Sequence, residues 1–247
     1  GIVKTGVCNA EDVMVYDVYA PTLEKLHNTL GVSTTTSVED LIETVQVIIL
    51  AVKPQVLPTV LEQYGKKITT DQLVISIAAG ITLGRLTDLL SENHKIVRVM
   101  PNTPAMVGEG MAGICVNQNV SEEEKAEVME MFSCFGKAEF VPEKLMDAVV
   151  GVSGSSPAYV YMFIEALADG AVAEGMPRTQ AYTFAAQAVL GSAKMVLESG
   201  KHPGELKDMV CSPAGTTIEA VRTLEESGFR ATVMNAVHVA AEKNRNM

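Results

Sequence analysis

Residues 45–52, Val-Gln-Val-Ile-Ile-Leu-Ala-Val, limit the possible folds of this chain more than any other stretch. Apart from Gln46 the run is apolar without alternation, the pattern of a strand covered on both faces. Residues 73–78 and 96–100 repeat it, and helical patterns at 55–64 and 82–90 fill the intervals. Upstream, 13–16 is a strand pattern ending at Asp17, and a helical pattern at 21–30 is closed by Gly31. Downstream, strand patterns at 111–116 and 138–141 flank a helical one at 121–135. Such alternation predicts an α/β fold with a doubly wound, parallel sheet.

After about Leu145 the strand signal stops. Residues 157–174 are apolar on nearly every face, which predicts a helix buried among others. Further helical patterns cover 179–198, 217–226 and 231–243. The expected division is therefore a dinucleotide-binding domain over 1–146 and an all-α domain over 147–247. A helix apolar all round needs more partners than so short a domain supplies, so an intertwined homodimer is expected.

Composition narrows the partners. The 247 residues carry a net charge of −11 and no basic stripe, which argues against nucleic acid. No apolar run reaches the roughly 20 residues of a membrane span. Cys8, Cys115, Cys134 and Cys211 are scattered without a C-x-x-C pair, so free thiols in a reducing cytoplasm are expected. The four histidines are equally dispersed, and no metal-ligand spacing occurs. Residues 1–6 read as the end of a helix rather than as a targeting peptide.

Several loops carry chemistry. Ala51-Val52-Lys53-Pro54 and Ile77-Ala78-Ala79-Gly80 each follow a buried strand, where ligands of doubly wound sheets bind. Small side chains there admit a ring or ribose, and Lys53 adds a cation. Met100-Pro101-Asn102-Thr103-Pro104 is a rigid polar loop suited to a carboxamide. Asp17, at a strand end, stands where a carboxylate bonds the ribose 2′-hydroxyl of NAD. Ser155 or Ser156 is expected to cap the long helix, with Pro157 in its first turn. His202-Pro203-Gly204 reads as a loop.

The most specific run is Ser212-Pro213-Ala214-Gly215-Thr216-Thr217. Pro213, Ala214 and Gly215 make a tight turn, and Thr216 with Glu219 matches a capping box. Three hydroxyls and open N–H groups at a helix N-terminus predict a carboxylate site.

Taken together, these runs resemble the pyrroline-5-carboxylate reductase family. The resemblance rests on 51–54, 102–104, 151–159, Ala166-Leu167-Ala168-Asp169-Gly170, 202–208 and 212–217, in family order over nearly the whole chain. It implies a Rossmann-like domain, an interlocked all-α dimerisation domain and dependence on NADPH or NADH. A decamer built from dimers is the further assembly it suggests. Residue by residue, it assigns Ser37, Ala51, Val52, Lys53, Pro54, Ile77, Ala78, Ala79 and Asn102 to the cofactor, joining Asp17, which its strand-end position already points to. Ser212, Gly215, Thr216 and Thr217 would hold the small-molecule substrate, 1-pyrroline-5-carboxylate, with Thr217 nearest the ring nitrogen. No metal is implied.

Departures accompany the match. Family members begin with a strand and a glycine-rich phosphate loop, and neither pattern occurs in these 247 residues. Ala214 stands where the family has Gly, which argues against a positive φ there, and Asp17 would repel a 2′-phosphate, favouring NADH. Two rival readings stay open: a β-hydroxy-acid dehydrogenase recruiting Lys194 or Lys207, and a non-catalytic scaffold subunit.

Overall fold

A computed structural model describes residues 1–247. The chain opens on a helix-terminating turn. The Val7 N–H bonds the Ile2 carbonyl at 3.0 Å, the Gly6 N–H bonds Val3 at 3.3 Å, and Gly6 has φ +78°. That pair of bonds is the Schellman closure, which requires the left-handed residue that glycine supplies.

Two parallel ladders follow. β1 (Met14–Tyr16) pairs with β2 (Ser33–Thr35), with α1 (Ala20–Leu30) between them in sequence. After α2 (Val38–Thr44), a five-stranded sheet is laid down in chain order. Its strands are β3 (Val47–Leu50), β4 (Leu73–Ser76), β5 (Lys95–Met100), β6 (Gly110–Val116) and β7 (Gly136–Phe140). The helices α3 (Leu57–Tyr64), α4 (Leu83–Leu89) and α5 (Glu122–Ser133) connect them. One pair departs from the all-parallel expectation: β6 runs antiparallel to β5, Val97 lying opposite Val116. Only the nine residues 101–109 join them, too few for a crossover helix, so the chain turns back on itself.

Alternating side chains of the sheet build two cores. Ile48, Val74 and Ile96 pack with Ile42, Leu57, Leu61 and Leu86 on one face. Ile75, Val97, Val99 and Ile114 pack with Val128 and Phe132 on the other. Burial on both faces is what the unbroken apolar runs require.

The rest is helical: α6 (Met146–Val149), a π-turn at Val150–Gly154, α7 (Ser156–Ala173), α8 (Arg178–Ser199), α9 (Pro203–Val210), α10 (Thr216–Glu226) and α11 (Phe229–Arg245). Two compact units result. One comprises Gly1–Gly154 with Ala240–Met247, the other Ser155–Val239. The end of α11 thus belongs with the sheet-bearing unit, whereas the sequence reading kept it with the helices.

Within the helical unit, α7 and α8 meet through Ala168, Ala181 and Ala185, with Ile164 and Met176 beside them. Phe163 and Phe229 pack at 6.0 Å between ring centres, and the Tyr159 hydroxyl donates to the Ala236 carbonyl at 3.4 Å. Only those three alanines are fully buried there, while Tyr161, Met162, Phe184, Leu190, Leu197 and Met234 lie more than half exposed. A surface this apolar is characteristic of an interface. No helix is long and apolar enough to cross a membrane.

Candidate active site

The turn before α10 is built as its sequence suggests, with one shift. The Gly215 N–H bonds the Ser212 carbonyl at 3.0 Å, closing a turn whose inner residues are Pro213 and Ala214. Ala214 has φ +55°, the one non-glycine residue of the chain at positive φ. The expectation that alanine argues against this conformation is thereby corrected. Proline followed by a left-handed residue is the type II turn, and the turn imposes it at roughly 1–2 kcal/mol for a side chain with a Cβ.

The capping box is corrected as well. Thr216 is the first helical residue, Gly215 is the N-cap, and no side chain caps the helix. Glu219 turns instead to Arg222, 2.6 Å away. The reason is the turn: it ends at Gly215, so helical dihedrals start one residue earlier than the motif assumes. The consequence favours a ligand. Open N–H groups of the first turn stay available, at the positive end of the helix dipole.

The hydroxyls of Ser212, Thr216 and Thr217 have no protein partner. Elsewhere in the same unit, Thr183, Ser192, Ser199, Thr223 and Thr232 each donate to a backbone carbonyl four residues back. An ideal Cβ on Gly215 would lie 2.3 Å from Ser212 Oγ, so that hydroxyl occupies the space a side chain would need. Three unspent hydroxyls and an uncapped helix start thus converge on residues 212–217.

The nearby His202 loop is also revised. His202 is the N-cap of α9, and its Nδ1 accepts from the Gly204 N–H at 3.1 Å. Pro203, at the start of this helix, lacks only an N–H that helical bonding does not use there. Lys194 pairs with Glu198 at 3.4 Å. Lys207 bonds Asp208 at 2.5 Å, which raises its pKa above the ordinary lysine value. Lys207 is therefore not set up as a proton-transfer group near neutrality.

In the sheet-bearing unit, the loops expected to bind cofactor follow strand ends. Asp17 comes directly after β1, and its Oδ1 accepts from the Tyr19 N–H at 2.8 Å, leaving Oδ2 open. Ser37 caps α2, its Oγ accepting from the Asp40 N–H at 3.1 Å. Ala51 and Lys53 are exposed, and Lys53 forms no ion pair. The Lys53 carbonyl accepts from Val56 and Leu57, so Pro54 lies in the turn leading into α3. The Ile77 N–H reaches the Leu50 carbonyl at 3.2 Å, and the Ala78 N–H reaches Ser76 Oγ at 3.3 Å.

Asn102 is engaged within the protein. Its Oδ1 accepts from the Met111 N–H at 2.9 Å and its Nδ2 donates to the Ser153 carbonyl at 3.0 Å. The amide mainly fastens its own loop, with one proton and one lone pair left over. A free carboxylate oxygen at Asp17, an unpaired lysine and small side chains at the ends of parallel strands fit a dinucleotide.

Sequence reasoning missed a polar group on the sheet. Arg98 of β5 has a side chain only 6 % exposed and is bound by Glu143 at 3.0 Å. A charge inside an otherwise apolar strand was the available signal.

Known proteins resemble this chain over nearly its whole length. The description "Pyrroline-5-carboxylate reductase dimerisation" fits residues 143–247, and "NADP oxidoreductase coenzyme F420-dependent" fits 1–80. The chain is 50% identical to the pyrroline-5-carboxylate reductase of Escherichia coli (strain K12), over 100% of its own length and 92% of that protein. Among solved structures, the pyrroline carboxylate reductase of Plasmodium falciparum with NADP bound superposes with TM-score 0.89 at 35% identity. It covers 99% of this chain and 90% of that one. The enzyme from Coxiella burnetii gives TM-score 0.92 at 30% identity, covering 99% and 91%.

Proposed function

The chain belongs to the pyrroline-5-carboxylate reductase family, and from that premise we propose how its residues perform the reduction. It is an NAD(P)H-dependent oxidoreductase acting on the C=N bond of 1-pyrroline-5-carboxylate, giving proline. The observation that carries the residue assignment is the uncapped start of α10 beside three unspent hydroxyls.

The carboxylate of the imine accepts from N–H groups of the first turn of α10 and from the hydroxyls of Ser212 and Thr216. Gly215 keeps that space free. Thr217 holds the ring nitrogen through Oγ. The nitrogen must end the reaction protonated, and no side chain of 212–217 titrates near neutral pH. Substrate therefore brings the proton as the iminium, whose N–H donates to Thr217 Oγ. Thr217 is the catalytic residue in this sense: it orients and stabilises, and transfers no proton.

NAD(P)H, when bound, supplies the hydride to the ring carbon. Asp17 would bond the ribose hydroxyls and Ser37 the adenosine side. Ala51, Val52, Lys53 and Pro54 would form one wall, and Ile77, Ala78 and Ala79 another. Asn102 would contribute what its loop bonds leave free. A negative Asp17 favours NADH over NADPH, since a 2′-phosphate would meet like charge.

The domain assignment that goes with this reading is 1–146 for the dinucleotide and 147–247 for dimerisation and substrate. The exposed apolar helices are the surface of a homodimer, and a decamer built from five such dimers in the cytoplasm is the proposed assembly. Four cysteines, all unpaired, support a reducing compartment. The test is direct: oxidation of NADH and NADPH is followed with pyrroline-5-carboxylate, and absence of imine-dependent oxidation overturns the reading.

A further inference from the structure

Arg98 is the one arginine or lysine buried in the chain, set between Val97 and Val99 of β5. Taking a guanidinium out of water is costly, and a buried ion pair often stabilises no better than apolar residues would. What the pair fixes in place is therefore the question. Glu143 Oε1 accepts two donors, Arg98 Nη1 at 3.0 Å and the Leu83 N–H at 2.7 Å. Leu83 is the first residue of α4, and Thr82 before it caps that helix through the Arg85 N–H at 3.1 Å. Glu143 thus ties the middle of the sheet to the start of α4, across 60 residues of sequence.

The segment that carries Glu143 is itself fastened. The Leu145 N–H bonds the Pro142 carbonyl at 2.9 Å. One turn further on, Asp147 accepts from Asn244 Nδ2 at 2.7 Å and from Arg245 Nε at 3.2 Å. All these residues belong to the sheet-bearing unit. Residues 77–82 join β4 to α4 and turn at Gly80, whose φ is +75°. The first end of this loop is held by the bonds of Ile77 to Leu50 and of Ala78 to Ser76. Its second end leads into the Leu83 N–H that Glu143 holds. A loop turning on glycine keeps one shape only if both ends are fixed.

We propose that Glu143, oriented by the buried Arg98, is a positioning residue for the cofactor: by holding the first N–H of α4 it sets the loop 77–82 in its binding shape. Both side chains act through that loop. The role rests on the assignment of Ile77, Ala78 and Ala79 to the cofactor wall, and its signature is loss of dinucleotide affinity with imine binding unchanged.

Leu83→Pro removes the donor while suiting the backbone. Proline is favoured at the first helical position, and Thr82, at φ −82° and ψ 160°, already has the extended form a following proline requires. Leu83→Ala trims the side chain, keeps the N–H and serves as control. Fluorescence titration of the full chain with NADH and with NADPH, without imine, should give a Kd about tenfold higher in Leu83→Pro than in Leu83→Ala. Arg98→Met with Glu143→Leu should show a similar loss and stay folded, since apolar residues replace such pairs well. Arg98→Met with Glu143→Gln should recover most of the affinity, because the amide oxygen still accepts from Leu83. At saturating cofactor, KM for the imine should stay within about twofold throughout. Equal Kd values in Leu83→Pro and Leu83→Ala overturn the proposal, as does a glutamine variant no better than the leucine one. Ala79→Val, which crowds the wall itself, should weaken both cofactors about tenfold. An unchanged Kd there would take the loop out of the cofactor site and overturn that assignment and this proposal together, whereas normal binding in Leu83→Pro overturns the proposal alone.

Discussion

Ser212 Oγ stands 2.3 Å from the point where Gly215 would carry a Cβ, so the hydroxyl and a side chain cannot share that space. Gly215 has φ −81°, which any residue adopts, and the constraint is therefore contact rather than backbone strain. The turn keeps its glycine to let a hydroxyl reach the start of α10.

Gly215→Ala should displace Ser212 Oγ and raise KM for the imine about tenfold, or roughly 1.4 kcal/mol, with little change in Tm. Adding Ser212→Ala removes the clash with Oγ. The double variant should then lose less than the sum of the two single losses. Additive losses in the cycle would show that the two residues do not meet in solution.

Thr217→Val should lower kcat severalfold or more, whereas Thr217→Ser should keep most of it. Because the threonine moves no proton, the pH profile of kcat should retain its shape in both variants. A changed profile would make Thr217 part of a proton path.

Asp17→Ser should shift preference toward NADPH by about tenfold in kcat/KM, by removing like charge near a 2′-phosphate. Fluorescence titration of both cofactors without substrate should show the same shift in Kd. Equal affinities before and after the change would separate Asp17 from the ribose.

Cys115 gives a pH test of the core. Burial, reinforced by Glu143 and opposed by Arg98, pushes its thiol up to about 11 from 9.0. Between those values the unfolded chain loses the proton and the folded chain keeps it, so stability falls as pH rises. The urea midpoint should therefore drop more steeply from pH 9 to 11 in the unaltered protein than in Cys115→Ala. Below pH 9, Cys115 should resist alkylation while the protein stays folded.

Much of this fold is written in the residue pattern. The runs at 45–52, 73–78 and 96–100 are apolar because helices cover both faces, and β3, β4 and β5 lie inside them or, for β5, one residue longer. β2 escaped notice because Ser33-Thr34-Thr35 has no apolar periodicity and pairs only through its backbone with β1. The antiparallel β5–β6 pairing escaped for a different reason: direction depends on how residues 101–109 turn, and strand composition does not encode it. At the site, the motif at 212–217 was legible but its geometry was one residue off. S/T-x-x-E also fits a chain whose preceding turn has already begun the helix. Arg98 and Glu143 meet across 45 residues of sequence and Asn244 and Asp147 across 97, distances no local pattern bridges.

The account stands or falls on where the acid group of a five-membered ring is held. A crystal structure of the full chain with L-proline should place that carboxylate within hydrogen-bond reach of the Thr216 and Thr217 N–H groups, with the ring nitrogen at Thr217 Oγ. Proline bound with no contact to residues 212–217 would contradict it.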